Sequence, residues 1–275
     1  MHFRAIEVSP VSPYLGAEIA GIDLREKLND AQIEELHEAF NAYQVIFFRD
    51  QRLDFDSLKS LGKCFGELSV HPIAITPEGH PEVTILHADS NSNVIVGERW
   101  HTDVSCSAEP PLGSILYLHT LPPLGGDTLF ASQYVAYDEL SDRMKAHIDG
   151  LTAFHDGGPS YRAMNRARGI PEAGKVYPSA NHPVVRTHPV TKRKALYVNA
   201  EFTKSINELP DEESEAILKY LILHSTRAEF QIRFHWKPHS VAFWDNRCLQ
   251  HLAVWDYYPH TRSGFRVTIA GDKPY

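Results

Sequence analysis

The chain has 275 residues, 43% of them hydrophobic, and a formal net charge of −8. This length accommodates one large domain or two small ones, with enough apolar content for a sizeable core. Acids and bases are spread along it, which excludes both a basic nucleic-acid-binding tract and a disordered acidic tail.

In chain order, residues 1–30 hold short apolar pieces broken by Pro10, Pro13, Gly16 and Gly21, the pattern of short strands and turns. Asn29-Asp30 offers a helix cap, and Ile33, Leu36, Phe40 and Tyr43 recur at helical spacing. Val45 to Phe48 is a fully apolar strand. A second helix starts near Asp54, carries Phe55, Leu58, Leu61 and Phe65 on one face, and stops at Gly66. His71-Pro72 opens a loop. Val83 to Leu86 and Ser114 to Leu118 are strands, and Gly125-Gly126-Asp127 turns tightly into Thr128-Leu129-Phe130. Tyr134 to Gly150 gives two short helices.

Residues 157–182 are rich in Gly, Pro, Arg and Asn and show no period, the character of a lid or mobile loop. Strands resume at Val184-Arg186 and Leu196-Val198. Asp211 caps a helix that runs to His224. Phe230 to Phe234, Val241 to Trp244 and Phe265 to Ile269 complete the strands. With no internal repeat and no linker, the order of elements predicts a mostly β fold with flanking helices, a sandwich or barrel.

No apolar run nears the roughly 20 residues that span a bilayer, and the first residues lack a secretory core. Three widely spaced cysteines, Cys64, Cys106 and Cys248, fit neither a disulfide framework nor a Cys-based zinc site. A cytoplasmic protein without membrane or nucleic-acid partners is the expectation.

A histidine followed two residues later by an acid occurs at His80/Glu82, His87/Asp89, His101/Asp103 and His147/Asp149. Sixteen histidines generate such pairs by chance, and each is open to a plain reading as a surface or turn histidine. In a β fold, His251 can meet one such pair from another strand. Two imidazoles and a carboxylate on one face of a metal leave three positions open, as in non-haem iron sites. The same ligands can hold zinc in a hydrolase, and His251 alone reads equally as a core histidine. Arg262 and Arg266 share a face on an extended strand. They suit a bound carboxylate or sulfonate-like anion if that face is buried, and an exposed edge if it is not.

The chain resembles the TauD/TfdA family of Fe(II)- and 2-oxoglutarate-dependent dioxygenases, its taurine dioxygenase branch in particular. The resemblance runs nearly end to end. It is carried by Gly16-Ala17-Glu18-Ile19, Phe65-Gly66-Glu67-Leu68, Trp100-His101-Thr102-Asp103-Val104, Gly125-Gly126-Asp127-Thr128-Leu129, residues 183–189, Trp244-Asp245-Asn246-Arg247 and Gly271-Asp272-Lys273-Pro274. It singles out His101/Asp103 among the four pairs. It implies a double-stranded β-helix (jelly-roll, cupin-like) core in a single domain over 1–275, with a lid or insert at about 157–182.

The resemblance also implies roles. His101, Asp103 and His251 match the iron ligands, and Thr128 and Arg262 match the residues that hold the far carboxylate of 2-oxoglutarate. Arg266 matches an arginine beside both cosubstrate and substrate, and His71, Val104 and Phe202 match substrate contacts. The implied reaction uses Fe(II), 2-oxoglutarate and O2 to hydroxylate a carbon of a small anionic substrate, with release of succinate and CO2. Cleavage of an adjacent C–S or C–O bond follows when that carbon bears a heteroatom. Ala74, Gly97 and Gly157 stand where the taurine enzyme has larger groups. That predicts a roomier pocket, suited to an alkyl sulfate, a longer sulfonate or an aryloxyalkanoate. Taurine dioxygenase proper and a non-catalytic cupin-like metal- or ligand-binding protein are the alternatives. A homodimer or homotetramer is implied by analogy.

Overall fold

The computed structural model describes residues 3–71 and 74–275; Met1, His2, Pro72 and Ile73, the last two in the loop expected at His71-Pro72, lie outside it. The described chain runs β1 (Glu7–Pro10), β2 (Ala17–Ala20), α1 (Asp30–Tyr43), β3 (Val45–Phe48), α2 (Phe55–Lys63), β4 (Leu68–Ser69), β5 (Val83–Ala88) and β6 (Gly113–Thr120). It continues through β7 (Thr128–Ser132), α3 (Gln133–Asp138), α4 (Asp142–Ile148), β8 (Thr152–Asp156), α5 (Gly158–Ala167), β9 (Ser179–Pro183), β10 (Val185–Thr187), β11 (Lys194–Leu196) and β12 (Thr203–Ile206). It closes with α6 (Asp211–Ser225), a 3-10 turn (Ala228–Phe230), β13 (Gln231–Phe234), β14 (Ser240–Asp245), β15 (Leu249–Ala253) and β16 (Arg262–Ile269). Among the described residues the fold is mostly β with six α-helices, and no helix is long and apolar enough to cross a membrane.

An eight-stranded sheet in the order β1-β2-β3-β14-β6-β16-β4, with β5 also paired to β16, is the main layer. Its central strands are buried on both faces, which explains why β3 reads as an unbroken apolar run. Alternate residues go to opposite sides. Ile46, Phe48, Ile115, Tyr117, Val241 and Phe243 pack with Leu36 and Phe40 of α1 and Leu58 and Leu61 of α2. Val45, Phe47, Leu116, Leu118, Ala242 and Trp244 face Phe130, Ile232, Phe234 and Leu249 of the three-stranded sheet β13-β7-β15. The space between these two sheets holds the site. A third cluster packs α3, α4 and α6 on the β12-β8-β9 sheet.

Local capping follows the sequence at two helices. Asn29 caps α1 through a reciprocal pair with Gln32, and Asp54 caps α2 through Ser57 N. Elsewhere the structure departs from expectation. Pro210, not Asp211, is the cap position of α6; Asp211 lies in the first turn with Glu212 and Glu213, where their charge faces the positive end of the helix. The stretch 157–182 contains α5 and most of β9. Its helix escapes a periodicity reading because its buried stripe is Gly158, Tyr161 and Asn165, only one of them a large hydrophobe. The strand expected at Leu196-Val198 ends at Leu196.

Candidate active site

β16 settles which way its arginines point. Arg266 pairs with Leu116 across the ladder, so it shares the inter-sheet face with that leucine. Arg262 and Gly264 follow the same alternation, and both arginines are buried. From the facing sheet, His251 pairs with Phe130 and also points inward.

His101, in the loop between β5 and β6, forms an isolated antiparallel bridge with His251. Its Nδ1 lies 2.8 Å from the Arg99 carbonyl oxygen, an acceptor only, so Nδ1 carries a proton and Nε2 is the ring nitrogen turned toward Asp103. That Nε2 lies 3.6 Å from Asp103 Oδ1, and His251 Nε2 lies 3.8 Å from the same oxygen. Burial, then the neighbouring His101, pushes His251 well below the ordinary histidine range, so it is the neutral imidazole that ligates metals. Burial alone would raise the Asp103 carboxyl, but Arg266, His251 and His101 together hold it well below the usual carboxylate range. Arg266 Nη1 donates to Asp103 Oδ1 at 3.0 Å, and the Ser114 hydroxyl donates to Oδ2 at 2.7 Å. The ligating atoms of His101, Asp103 and His251 all lie within 4.8 Å of one another. Donors so spaced can each reach an ion about 2 Å away. Two imidazoles and one carboxylate therefore fit a divalent cation, with one face left for other ligands. His188, Asp245 and Cys248 also cluster, but Arg247 grips Asp245 at 2.8 and 2.7 Å, and that group is a buried ion-pair network.

A second constellation lies along β16. Arg262 Nε donates to the Gly126 carbonyl at 2.9 Å, and its Nη2 lies 3.4 Å from Thr128 Oγ1. The Trp236 indole N–H donates to the same Thr128 oxygen at 3.0 Å, and its ring lies 5.6 Å from the guanidinium. Burial lowers the Arg262 pKa, and among the described residues no carboxylate pairs with this cation. A buried guanidinium with neutral partners is a site for an external anion.

His71, Val104 and Phe202 line one cavity of about 400 Å³ with His101, Asp103 and Arg266. Burial, then Arg266, lowers His71 to about 4. An adjoining cavity of about 350 Å³ reaches Arg262 and shares Ile75, Ile85, Leu86 and Ile95 with the first. Val104 has φ +47°, an unusual conformation for a β-branched residue, directly after Asp103. Ala74 and Gly97 line the cavity, as expected. Gly157 does not: a Cβ there would lie 2.8 Å from both Cys106 Sγ and Tyr161 Cε2. Tyr161 of α5 takes that space and itself forms cavity wall. The predicted opening at Gly157 is thus replaced by an aromatic ring.

His101, Asp103, His251, Thr128, Arg262, Arg266, His71, Val104 and Phe202 lie around this inter-sheet space, and Gly157 does not. Sequence reasoning missed Trp236, Tyr161 and Ser114. Trp236 reaches Thr128 from the loop after β13, far along the chain, and Ser114 reads only as a strand residue.

The fold is that of a dioxygenase family. A model of the Taurine catabolism dioxygenase TauD, TfdA family matches residues 7–268, and the chain belongs to that family. It is similar to an alpha-ketoglutarate-dependent sulfonate dioxygenase of Saccharomyces cerevisiae, 36% identical over 282 residues, 98% of this chain and 68% of the relative. An alpha-ketoglutarate-dependent sulfate ester dioxygenase of Pseudomonas putida is 34% identical over 281 residues, 99% of this chain and 92% of the relative. The crystal structure of a putative alpha-ketoglutarate-dependent taurine dioxygenase from Burkholderia xenovorans superposes with a TM-score of 0.86 at 38% identity, covering 98% of this chain and 94% of that one.

Proposed function

We propose that this chain is an Fe(II)- and 2-oxoglutarate-dependent dioxygenase. It hydroxylates a carbon of a small anionic organic substrate, an alkyl sulfate, sulfonate or aryloxyalkanoate, and releases succinate and CO2. The observation that carries this reading is the pairing of two features across one inter-sheet space. One is the buried His101, Asp103, His251 donor set; the other is Arg262, a buried cation without a carboxylate partner. A zinc hydrolase accounts for the first feature and leaves the second unexplained, as does a simple cupin-like binder.

In this reading His101, Asp103 and His251 hold Fe(II), which when bound supplies the oxygen activation that no side chain can provide. Arg262 and Thr128 hold the far carboxylate of 2-oxoglutarate, with Trp236 orienting the threonine hydroxyl and covering the guanidinium. Arg266 stands between Asp103 and the cavity and gives charge complementarity to an anion. His71, neutral above about pH 4, offers a hydrogen bond at the same end. Val104 and Phe202 shape the wall on which the reacting carbon rests. Tyr161 and Met164 bring α5 over the cavity, which supports the stretch 157–182 as a lid that excludes water.

The cavity lining includes the apolar Ile75, Leu86, Val94 and Val96 beside the charged Glu98, Arg99, Glu201 and Lys204, and Ala74 and Gly97 leave it open. The space at Ala74 and Gly97 favours an anion with a body larger than that of taurine. Two sheets facing across a shared core support a double-stranded β-helix in one domain over 1–275. Three free cysteines accord with a cytoplasmic setting, and a homodimer or homotetramer rests on family analogy. The test is succinate release across a panel of sulfonates, alkyl sulfates and aryloxy acids. Substrate-dependent succinate with members larger than taurine supports the reading, whereas efficient taurine turnover refutes the pocket argument.

A further inference from the structure

We propose that Ser114 is a positioning residue that orients Asp103 as a metal ligand, with Asn246 holding Ser114 in that role. The proposal rests on the reading of Asp103 as a ligand.

The hydrogen-bond directions follow from one group that can only donate. The Trp244 indole N–H lies 3.1 Å from Asn246 Oδ1. An indole nitrogen has no acceptor capacity, so the oxygen of the Asn246 amide must be the atom that faces it. The Asp103 backbone N–H points at the same oxygen at 3.4 Å and agrees with that orientation. The Asn246 Nδ2 group then faces Ser114 Oγ at 3.3 Å and donates to it. With its oxygen receiving that bond, the Ser114 hydroxyl directs its own hydrogen to Asp103 Oδ2, 2.7 Å away. The sequence Trp244, Asn246, Ser114, Asp103 is a directed chain that ends on one carboxylate oxygen.

The consequence is an asymmetric carboxylate. Oδ2 accepts from Ser114 and Oδ1 from Arg266 Nη1, and Oδ1 is the oxygen placed toward His101 Nε2 and His251 Nε2. A carboxylate free to rotate can turn Oδ1 away from the two imidazoles, and the Ser114 bond to Oδ2 fixes that rotation. The fold explains how the hydroxyl arrives there. Ser114 lies at the start of β6, opposite Trp244 and Thr268, on the inter-sheet face it shares with Leu116 and Leu118. It is fully buried, and a hydroxyl so placed is costly unless both of its hydrogen-bonding capacities are met. Here they are, one by Asn246 and one by Asp103.

The test is Mn(II) affinity, read from the free-ion electron paramagnetic resonance signal with purified full-length protein, without 2-oxoglutarate or oxygen. The wild type and Asp103→Ala establish the underlying reading: equal binding by the two overturns Asp103 as a ligand, and the proposal with it. Given wild-type binding that Asp103→Ala loses, Ser114→Ala is expected to weaken Mn(II) by roughly 10–100-fold, the range for partners that orient metal ligands. Thermal unfolding of the metal-free proteins records any general destabilisation separately. A Ser114→Ala protein that unfolds more easily but binds Mn(II) as tightly as wild type makes the serine a packing residue and overturns the proposal. Ser114→Cys keeps the volume with a weaker donor and is expected to fall between the two. It also serves as the test if the alanine variant fails to fold, unchanged affinity again overturning the proposal.

Discussion

His101 and His251 exchange both of their backbone hydrogen bonds, His101 N to His251 O at 3.1 Å and His251 N to His101 O at 2.9 Å. The two rings stand 4.1 Å apart between centroids. Main-chain pairing thus brings the imidazoles together before any ion is bound, and a pre-set ligand pair loses little freedom on binding. The account predicts that amide hydrogens of residues 101 and 251 stay protected from exchange in metal-free protein. Rapid exchange that slows only on adding metal would show that the ion, not the backbone, assembles the pair.

Arg262 should separate affinity from stability. It is buried beside Trp236 and neutral oxygens, and among the described residues no carboxylate forms an ion pair with it. Removing one partner of a buried charge pair costs about 2–5 kcal/mol of binding. Arg262→Met is therefore expected to raise the KM for 2-oxoglutarate at least ~30-fold, since about 1.4 kcal/mol is a factor of ten. Its metal-free melting temperature should not fall, because an apolar group suits the unliganded site as well as an unpaired cation. Steady-state succinate kinetics and thermal unfolding check the two halves.

Gly97 combines two constraints that a paired control can resolve. It has φ +88°, and a Cβ there would lie 3.1 Å from His101 Cε1. Gly79 has φ +77° with nothing within 4 Å of its Cβ position. Alanine at either site is expected to cost about 1 kcal/mol or more of stability, from the left-handed backbone. Only Gly97→Ala should also weaken metal binding, because only there does the new methyl press on a ligand ring. Calorimetric titration with Mn(II) distinguishes the two variants.

Acid stability should report the buried histidines. His155 is lowered to about 3, by burial first and then by His182, and its ring faces Ser105 and Thr203. A histidine free in the unfolded chain titrates near 6.5. The unfolded state therefore takes up a proton between those values that the folded state refuses. Stability from this group is complete above about pH 6.5 and declines as pH falls toward 3. Each such histidine contributes a slope of up to about 1.4 kcal/mol per pH unit. His155→Gln is expected to lose one such slope, read from urea unfolding between pH 7.5 and 5.

Much of this architecture is legible in the sequence because it is local. Asn29 and Asp54 announce their helices, and Val45 to Phe48 announces a doubly buried strand. The residues proposed to hold metal and cosubstrate are legible through ordered motifs, of which the His-x-Asp pair alone is the weakest. What escapes is set by partners far along the chain. The inward direction of Arg262 and Arg266 depends on pairing with β6, which no alternation within 265–269 reveals. Gly157 suggests an opening, yet its neighbourhood is filled by Tyr161, four residues on and one helical turn away. α5 is hidden because Gly158 and Asn165 occupy its buried stripe. Asp211 has the right residue type for a cap, but Pro210 takes the cap position and leaves the acid to the first turn.

The central claim is that the His101, Asp103, His251 set and the Arg262 clamp serve one centre that holds a metal and 2-oxoglutarate together. The direct measurement is the visible spectrum of the full chain, titrated with Fe(II) in the presence of 2-oxoglutarate and without oxygen. The account predicts a weak charge-transfer band that saturates at a single equivalent of Fe(II) and is lost in Asp103→Ala. A spectrum no different from Fe(II) and 2-oxoglutarate in buffer would contradict it.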